Sequence, residues 1–209
     1  FYAAQAVCSA SRAGLLTGCY PNRIGITGAL GPSSAIGLNP TETTIAEMLR
    51  DKGYRTVAIG KWNVGHHLPF LPLQQGFDEY LGLPYSNDMV PFYYDGTRNF
   101  PPGQERRATY PELPLIRGNE VERMLTSLDD QSALTTLYTE TAVDFIERNR
   151  NSPFFLYLAH SMPHVPLAVS EKFAGKSECG LYGDVMMEID WSVGEVINAL
   201  ERQGLSGRT

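Results

Sequence analysis

The feature that most constrains the fold is an alternation of helical and strand-like patterns along the 209 residues. Two short apolar runs, Tyr54 to Ile59 and Phe154 to Ala159, indicate strands. Because strands that are apolar on both faces need cover on both sides, we predict an α/β fold in which helices sandwich an open, mostly parallel sheet. Helical spacing of apolar residues occurs in four segments: Cys8 to Thr17, Pro40 to Gly53, Asp130 to Asn149 and about Gly183 to Gln203.

Local signals refine this pattern. Thr44 and Glu47 are spaced as a capping box, and Gly53 is placed to end the second helix.

Between Leu83 and Leu115 the periodicity disappears among six prolines and several tyrosines. Loops this long in compact domains are usually functional or mobile, so we expect this segment to shape the choice of substrate.

Charge and composition exclude several classes of protein. The 17 Lys and Arg residues against 23 Asp and Glu residues give a net charge of −6, which excludes a basic nucleic-acid binder. No apolar run approaches the roughly 20 residues of a membrane span. The three cysteines form no Cys-x-x-Cys pair, so neither a zinc site nor a disulfide scaffold is indicated, although one bridge between Cys19 and Cys179 stays open. The oligomeric state is not indicated.

Candidate binding residues follow both predicted strands. Ligands of open α/β sheets bind beyond the carboxyl ends of the strands, where Lys61 and His164 lie with no carboxylate cluster beside them. An anionic substrate is therefore the hypothesis. Taken alone, Lys61 is as well explained as a solvated surface lysine, and two neighbouring histidines such as His66 and His67 are more often surface or structural residues than catalytic ones.

Cys8 and Arg12 are more informative because they fall on one face at the start of a helix. A helix N-terminus offers unpaired N–H groups and positive dipole to an anion. The alternative is a small buried cysteine with an arginine that pairs elsewhere. The spacing is one residue shorter than the Cys-x5-Arg phosphate loop, which disfavours a cysteine phosphatase.

The segment from Cys8 to Gly18 resembles the sulfatase signature, Cys-x-Pro/Ala-x-Arg with a Leu-x-Thr-Gly tail. The resemblance extends over the whole chain, and the Pro84 to Asp88 segment is similar to the arylsulfatase A type. It implies an alkaline phosphatase/sulfatase-like fold. Since Phe1 opens in a predicted loop and few residues follow the last helix, we expect residues 1–209 to be an internal part of a catalytic domain. The first strand and the later metal-binding and C-terminal segments would lie outside it. Further matching motifs are Gly60-Lys61-Trp62, Gly65-His66, Gly76 to Gly82 and His164-x-Pro166.

The resemblance implies a sulfuric ester hydrolase that cleaves sulfate esters. A separate formylglycine-generating enzyme would convert Cys8 to formylglycine, whose hydrate has one hydroxyl to attack sulfur and another to expel sulfate. Arg12 would steady the hydrate. Lys61 and His164 would bind the sulfate oxygens, with His164 also protonating the leaving group, and Ser86 would be a second-line contact.

Asn63 departs from the family pattern, which has a histidine that hydrogen-bonds the formylglycine hydroxyl and assists release. Asparagine keeps a donor and an acceptor but cannot take a proton at neutral pH. We therefore expect Asn63 to leave residue 8 sulfated with slow or blocked release. The alternative is a catalytically impaired sulfatase-like protein that binds sulfated ligands without cleaving them.

The calcium ligands of the family are a second departure. They are an Asp-Asp pair and an Asp-Asn pair, and neither occurs in a matching context, so we expect the calcium ligands to lie outside this chain. A phosphomonoesterase or phosphodiesterase of the same superfamily is disfavoured because those enzymes have Ser or Thr where Cys8 stands. The resemblance leaves three substrate classes open: an aryl sulfate, a sulfolipid or a sulfated sugar. The family expectation for the compartment is lysosomal, periplasmic or extracellular.

Overall fold

A computed structural model describes residues 2–209. Its five strands form one mixed sheet: β1 Arg55–Lys61, β2 Glu79–Leu83, β3 Leu113–Arg117, β4 Glu120–Leu125 and β5 Phe154–Ala159. The order across the sheet is β4-β3-β2-β1-β5. β1 is parallel to both β2 and β5, whereas β3 pairs antiparallel with β2 and with β4. The predicted α/β fold is confirmed, and the unpredicted β3 and β4 make the sheet mixed.

The helices agree with the sequence pattern in part. They are α1 Cys8–Thr17, α2 Ile45–Arg50, α3 Leu128–Ser132, α4 Leu134–Arg148 and α5 Gly180–Arg202. The predicted bounds of α1 are confirmed, with Gly18 in the left-handed region at φ 70°. The helix expected from residue 40 begins only at Ile45, because the confirmed capping box of Thr44 and Glu47 sets its start. The third predicted helix is broken at Ala133 into α3 and α4.

Two apolar cores cover the two faces of the sheet. On one face, Ala58 of β1 packs with apolar residues of α1 and α2. On the other face, Val57 and Ile59 pack with Tyr138 and Phe145 of α4. Helix α5 packs beside α4, and its Ala199 lies in a small apolar cluster with Ile146 of α4 and Phe154 of β5. Burial on both faces explains the uninterrupted apolar pattern of β1.

Glycines allow β1 and β2 to approach closely at their carboxyl ends. A Cβ on Gly82 would lie 1.8 Å from the carbonyl oxygen of Gly60, and Gly60 itself has φ +102°. The parallel strands β1, β2 and β5 end at the same edge of the sheet. The residues that follow these three strands are thereby brought together.

Candidate active site

Cys8 is the first residue of α1 and lines an open cavity of about 330 Å³. Its thiol is free, as are those of Cys19 and Cys179, so the bridge left open by the sequence is not formed. No side chain caps the helix at Val7. The cavity therefore combines a free thiol with the electropositive start of a helix. Its other lining residues are Ala3, Ser11, Arg12, Leu15, Tyr157, Leu158 and Ala159.

Arg12 joins this cavity to the end of β1. Its guanidinium donates to the carbonyl oxygen of Lys61, and also to the Tyr157 hydroxyl at 3.3 Å. Arg12 is thus held by the backbone of β1 and a side chain of β5. The predicted neighbourhood of Cys8, Arg12 and Lys61 is present, and Tyr157 is a partner that the sequence analysis missed.

Lys61 is buried, and its ammonium donates to the Ser86 hydroxyl at 2.9 Å. Burial, followed by the nearby Arg12 guanidinium, lowers the pKa of Lys61 to about 8, against the opposing effect of Cys8 and Asp88. Cys8, Arg12, Lys61 and Ser86, here called the Cys8 cluster, thus come from α1, β1 and the segment after β2. A cluster with two cations and the start of a helix is suited to a small anion.

Asn63 is buried and lies against the first turn of α1. Its Nδ2 donates to the Ser9 hydroxyl at 2.9 Å and to the Leu30 carbonyl oxygen at 2.8 Å. Its φ of 60° lies in the left-handed region, which asparagine tolerates better than most residues. Within residues 2–209, the buried Oδ1 has no hydrogen-bond partner. Asn63 therefore holds the neighbour of Cys8 and leaves one acceptor unused.

His164 lies in the exposed segment after β5. Its Nδ1 is 2.6 Å from the carbonyl oxygen of Val165. Since a carbonyl can only accept, Nδ1 carries the proton and Nε2 is the ring nitrogen left for another partner. Within residues 2–209, no hydrogen bond joins the His164 ring to the Cys8 cluster, so its predicted contact with sulfate stays a prediction.

The rings of His66 and His67 lie tilted against each other with centroids 4.1 Å apart, and His66 meets Tyr85 edge to face. Burial and the neighbouring His67 lower the pKa of His66. These contacts agree with the structural interpretation of the pair.

Two further residues that the sequence analysis missed follow Ser86. Asn87 is buried and bonds to Gln131 and to the segment of His164, and Asp88 accepts from Arg107. The signal that could have found them was β2, because polar residues beyond a central strand lie at the ligand edge of the sheet. The Gly76 to Gly82 and Pro84 to Asp88 segments were read only as motifs, so no strand was predicted between them and no role was predicted for Asn87 or Asp88.

The described residues do not fit a metal ion. Within residues 2–209, no group of three or more His, Cys, Asp or Glu side chains could hold one. No helix in that range is both long enough and apolar enough to cross a membrane.

Comparison with known proteins identifies the family. The sulfatase family model matches residues 1–209. The chain belongs to the sulfatase family. Mouse N-acetylgalactosamine-6-sulfatase is 37% identical to it over 222 residues, covering 100% of the chain and 41% of that protein. Mouse arylsulfatase G is 40% identical over 215 residues, covering 94% of the chain and 39% of that protein.

Solved structures of other proteins share the fold. The PsFucS1 sulfatase from Pseudoalteromonas sp. is 30% identical, with a TM-score of 0.83 over 96% of this chain and 43% of that one. Ps i-CgsB in complex with k-i-k-neocarrahexaose is 26% identical, with a TM-score of 0.77 over 98% of this chain and 46% of that one. This sulfatase chain spans about two fifths of its curated relatives, and the predicted resemblance is confirmed over its whole length.

Proposed function

We propose that the protein containing this chain hydrolyses sulfate esters, with Cys8 as the precursor of its nucleophile. The observation that carries the proposal is the Cys8 cluster, in which a free thiol at a helix start lies with two cations, Arg12 and Lys61. Residues 1–209 would be an internal part of the catalytic domain. Calcium would be held by residues outside them, since those described do not fit it.

The free thiol and the open cavity fit a modified residue at position 8. After oxidation by a formylglycine-generating enzyme, residue 8 would supply a hydroxyl nucleophile and a built-in route for releasing sulfate. Arg12 would orient residue 8, and Lys61 would bind a sulfate oxygen while Ser86 holds its ammonium in place. His164 would bind the substrate and, with both ring nitrogens protonated, donate the proton on Nε2 to the departing alcohol.

A sulfated sugar is the substrate class that we favour over an aryl sulfate or a sulfolipid. The curated relatives include an N-acetylgalactosamine-6-sulfatase, and one structural neighbour is in complex with k-i-k-neocarrahexaose. For the compartment we propose the family expectation, which is lysosomal, periplasmic or extracellular.

Turnover with a sulfated monosaccharide and with 4-nitrophenyl sulfate tests the proposal, with free sulfate measured by ion chromatography. The intact protein should release more than one equivalent of sulfate per site, although slowly, because Asn63 cannot take the proton that assists release. The Cys8→Ser variant keeps a hydroxyl but has no route for release, so it should yield at most about one equivalent of alcohol per site. Equal turnover by native protein and Cys8→Ser would contradict the proposed role of Cys8.

A second function is binding of sulfated ligands without cleavage, and Asn63 favours it. The amide has no proton acceptor that works at neutral pH, and its Nδ2 is committed to Ser9 and Leu30. Saturable binding of the sulfated sugar with no sulfate released and an unmodified Cys8 would support this second function over the first.

A further inference from the structure

Asn87 connects three parts of the chain at the carboxyl edge of the sheet. It is fully buried. Its Nδ2 lies 3.3 Å from each of three acceptors, which are Gln131 Oε1 and the carbonyl oxygens of His164 and Pro166. Gln131 in turn donates to the Asn87 carbonyl oxygen at 3.1 Å. Both the side chain and the backbone of Asn87 are therefore tied to elements distant in sequence.

The neighbours of Asn87 extend this connection to the Cys8 cluster. Ser86 accepts the hydrogen bond of Lys61, so two consecutive residues contact the sulfate-binding lysine and the main chain on both sides of Val165. The next residue, Asp88, is held by Arg107, which donates to its carbonyl oxygen at 2.5 Å and lies 3.6 Å from its carboxylate. The segment that carries Ser86 and Asn87 is thereby fixed at both ends.

We propose that Asn87 is a positioning residue that holds the His164 segment at a fixed place relative to Lys61. Its amide supplies N–H donors to backbone carbonyls that have no other donor among the described contacts of these residues. A carboxylate at this position would present acceptors to those same carbonyl oxygens and repel them. The proposal rests on the proposed function, because it places His164 at the leaving group.

The variants are Asn87→Asp, which has nearly the same shape but no donor, and the milder Asn87→Ser. Asn198→Asp makes the same chemical change on the exposed surface of α5 and serves as the control. Far-UV circular dichroism of the intact protein checks folding. If Asn87→Asp does not fold, Asn87→Ser carries the test, because a serine hydroxyl is too short to reach both carbonyls.

Hydrogen exchange gives a readout that does not depend on activity. Peptides covering residues 160–168 should exchange about tenfold faster in Asn87→Asp than in the native protein, while peptides of α5 keep their rates. Unchanged exchange in residues 160–168 in the folded Asn87 variants would overturn the proposal. If the native protein shows no sulfatase activity but these peptides exchange faster, the proposed function fails and the positioning role stands.

Leaving-group dependence tests whether the position of His164 matters for chemistry. Phenyl sulfate needs a proton on its departing oxygen more than 4-nitrophenyl sulfate does. In Asn87→Asp, kcat/KM for phenyl sulfate, which reports the cleavage step even when release is slow, should fall about tenfold more than kcat/KM for 4-nitrophenyl sulfate, with no such difference in Asn198→Asp. An equal fall for both substrates indicates a merely structural role and would overturn the proposal in an active enzyme.

Discussion

The low pKa of Lys61 makes anion binding sensitive to mild alkali. Only the protonated ammonium attracts sulfate, and sulfate itself does not titrate between pH 7 and pH 9. With a pKa of about 8, the apparent Kd rises by the factor 1 + 10^(pH − pKa). That factor is about tenfold between pH 7 and pH 9. An ordinary lysine with a pKa of 10.5 would change the Kd by only about 3% over the same range.

Isothermal titration of inorganic sulfate into the intact protein measures this effect at pH 7, 8 and 9. Binding should also take up about half a proton per sulfate at pH 8, which appears as a dependence on the ionisation enthalpy of the buffer. The control is Lys61→Arg, which stays charged and should bind with nearly constant affinity. A native protein with constant affinity up to pH 9, or a Lys61→Arg variant with the same loss, would refute the reasoning.

Three further predictions concern Asn63, His160 and the start of α2. Asn63→His should increase sulfate release, because the left-handed region tolerates histidine and the ring restores a proton acceptor; no gain over the native protein would contradict this. Burial lowers the pKa of His160 to about 4, so the unfolded chain binds more protons than the folded protein between pH 4 and pH 6.5. The free energy of unfolding therefore decreases as the pH is lowered through that range. Urea unfolding of the native protein should show about 2 kcal/mol less stability at pH 5 than at pH 7.5 from this group, and His160→Gln should lack that part of the loss. Thr44→Ala removes both the capping box and the hydrogen bond from its hydroxyl to a buried carbonyl, and should cost about 1–2 kcal/mol in the same assay; a cost no larger than that of the exposed Thr41→Ala would refute it.

The sequence predicted those parts of the fold that have strong local signals. The bounds of α1 and β5 are as predicted, since helical spacing with a terminal glycine and a long apolar run are both local features. β2 has only five residues, which is a short signal for a strand. β3 contains Pro114, which the pairing of β3 tolerates but which makes β3 harder to predict as a strand from its sequence. These strands are specified by tertiary pairing more than by periodicity.

The candidate site was predictable to a similar extent. Motifs of contiguous residues predicted four members of the candidate site, which are Cys8, Arg12, Lys61 and Ser86. Asn87 was missed because its hydrogen bonds to Gln131 and the His164 segment join residues 44 to 79 positions apart. Such contacts carry no periodic or spacing signal. Recognition of β2 would have indicated the edge of the sheet on which Asn87 lies, but its partners are seen only in the folded arrangement.

A mass spectrum of the peptide containing Cys8, taken from intact protein made in its native host, tests the central claim most directly. The proposed function predicts a peptide about 18 Da lighter than the cysteine form, as expected for conversion of the thiol to an aldehyde. After incubation with an aryl sulfate, a persistent sulfated adduct on that peptide would place the slow step at release, as expected for Asn63. An unmodified Cys8 thiol would contradict the claim that this residue supplies the nucleophile.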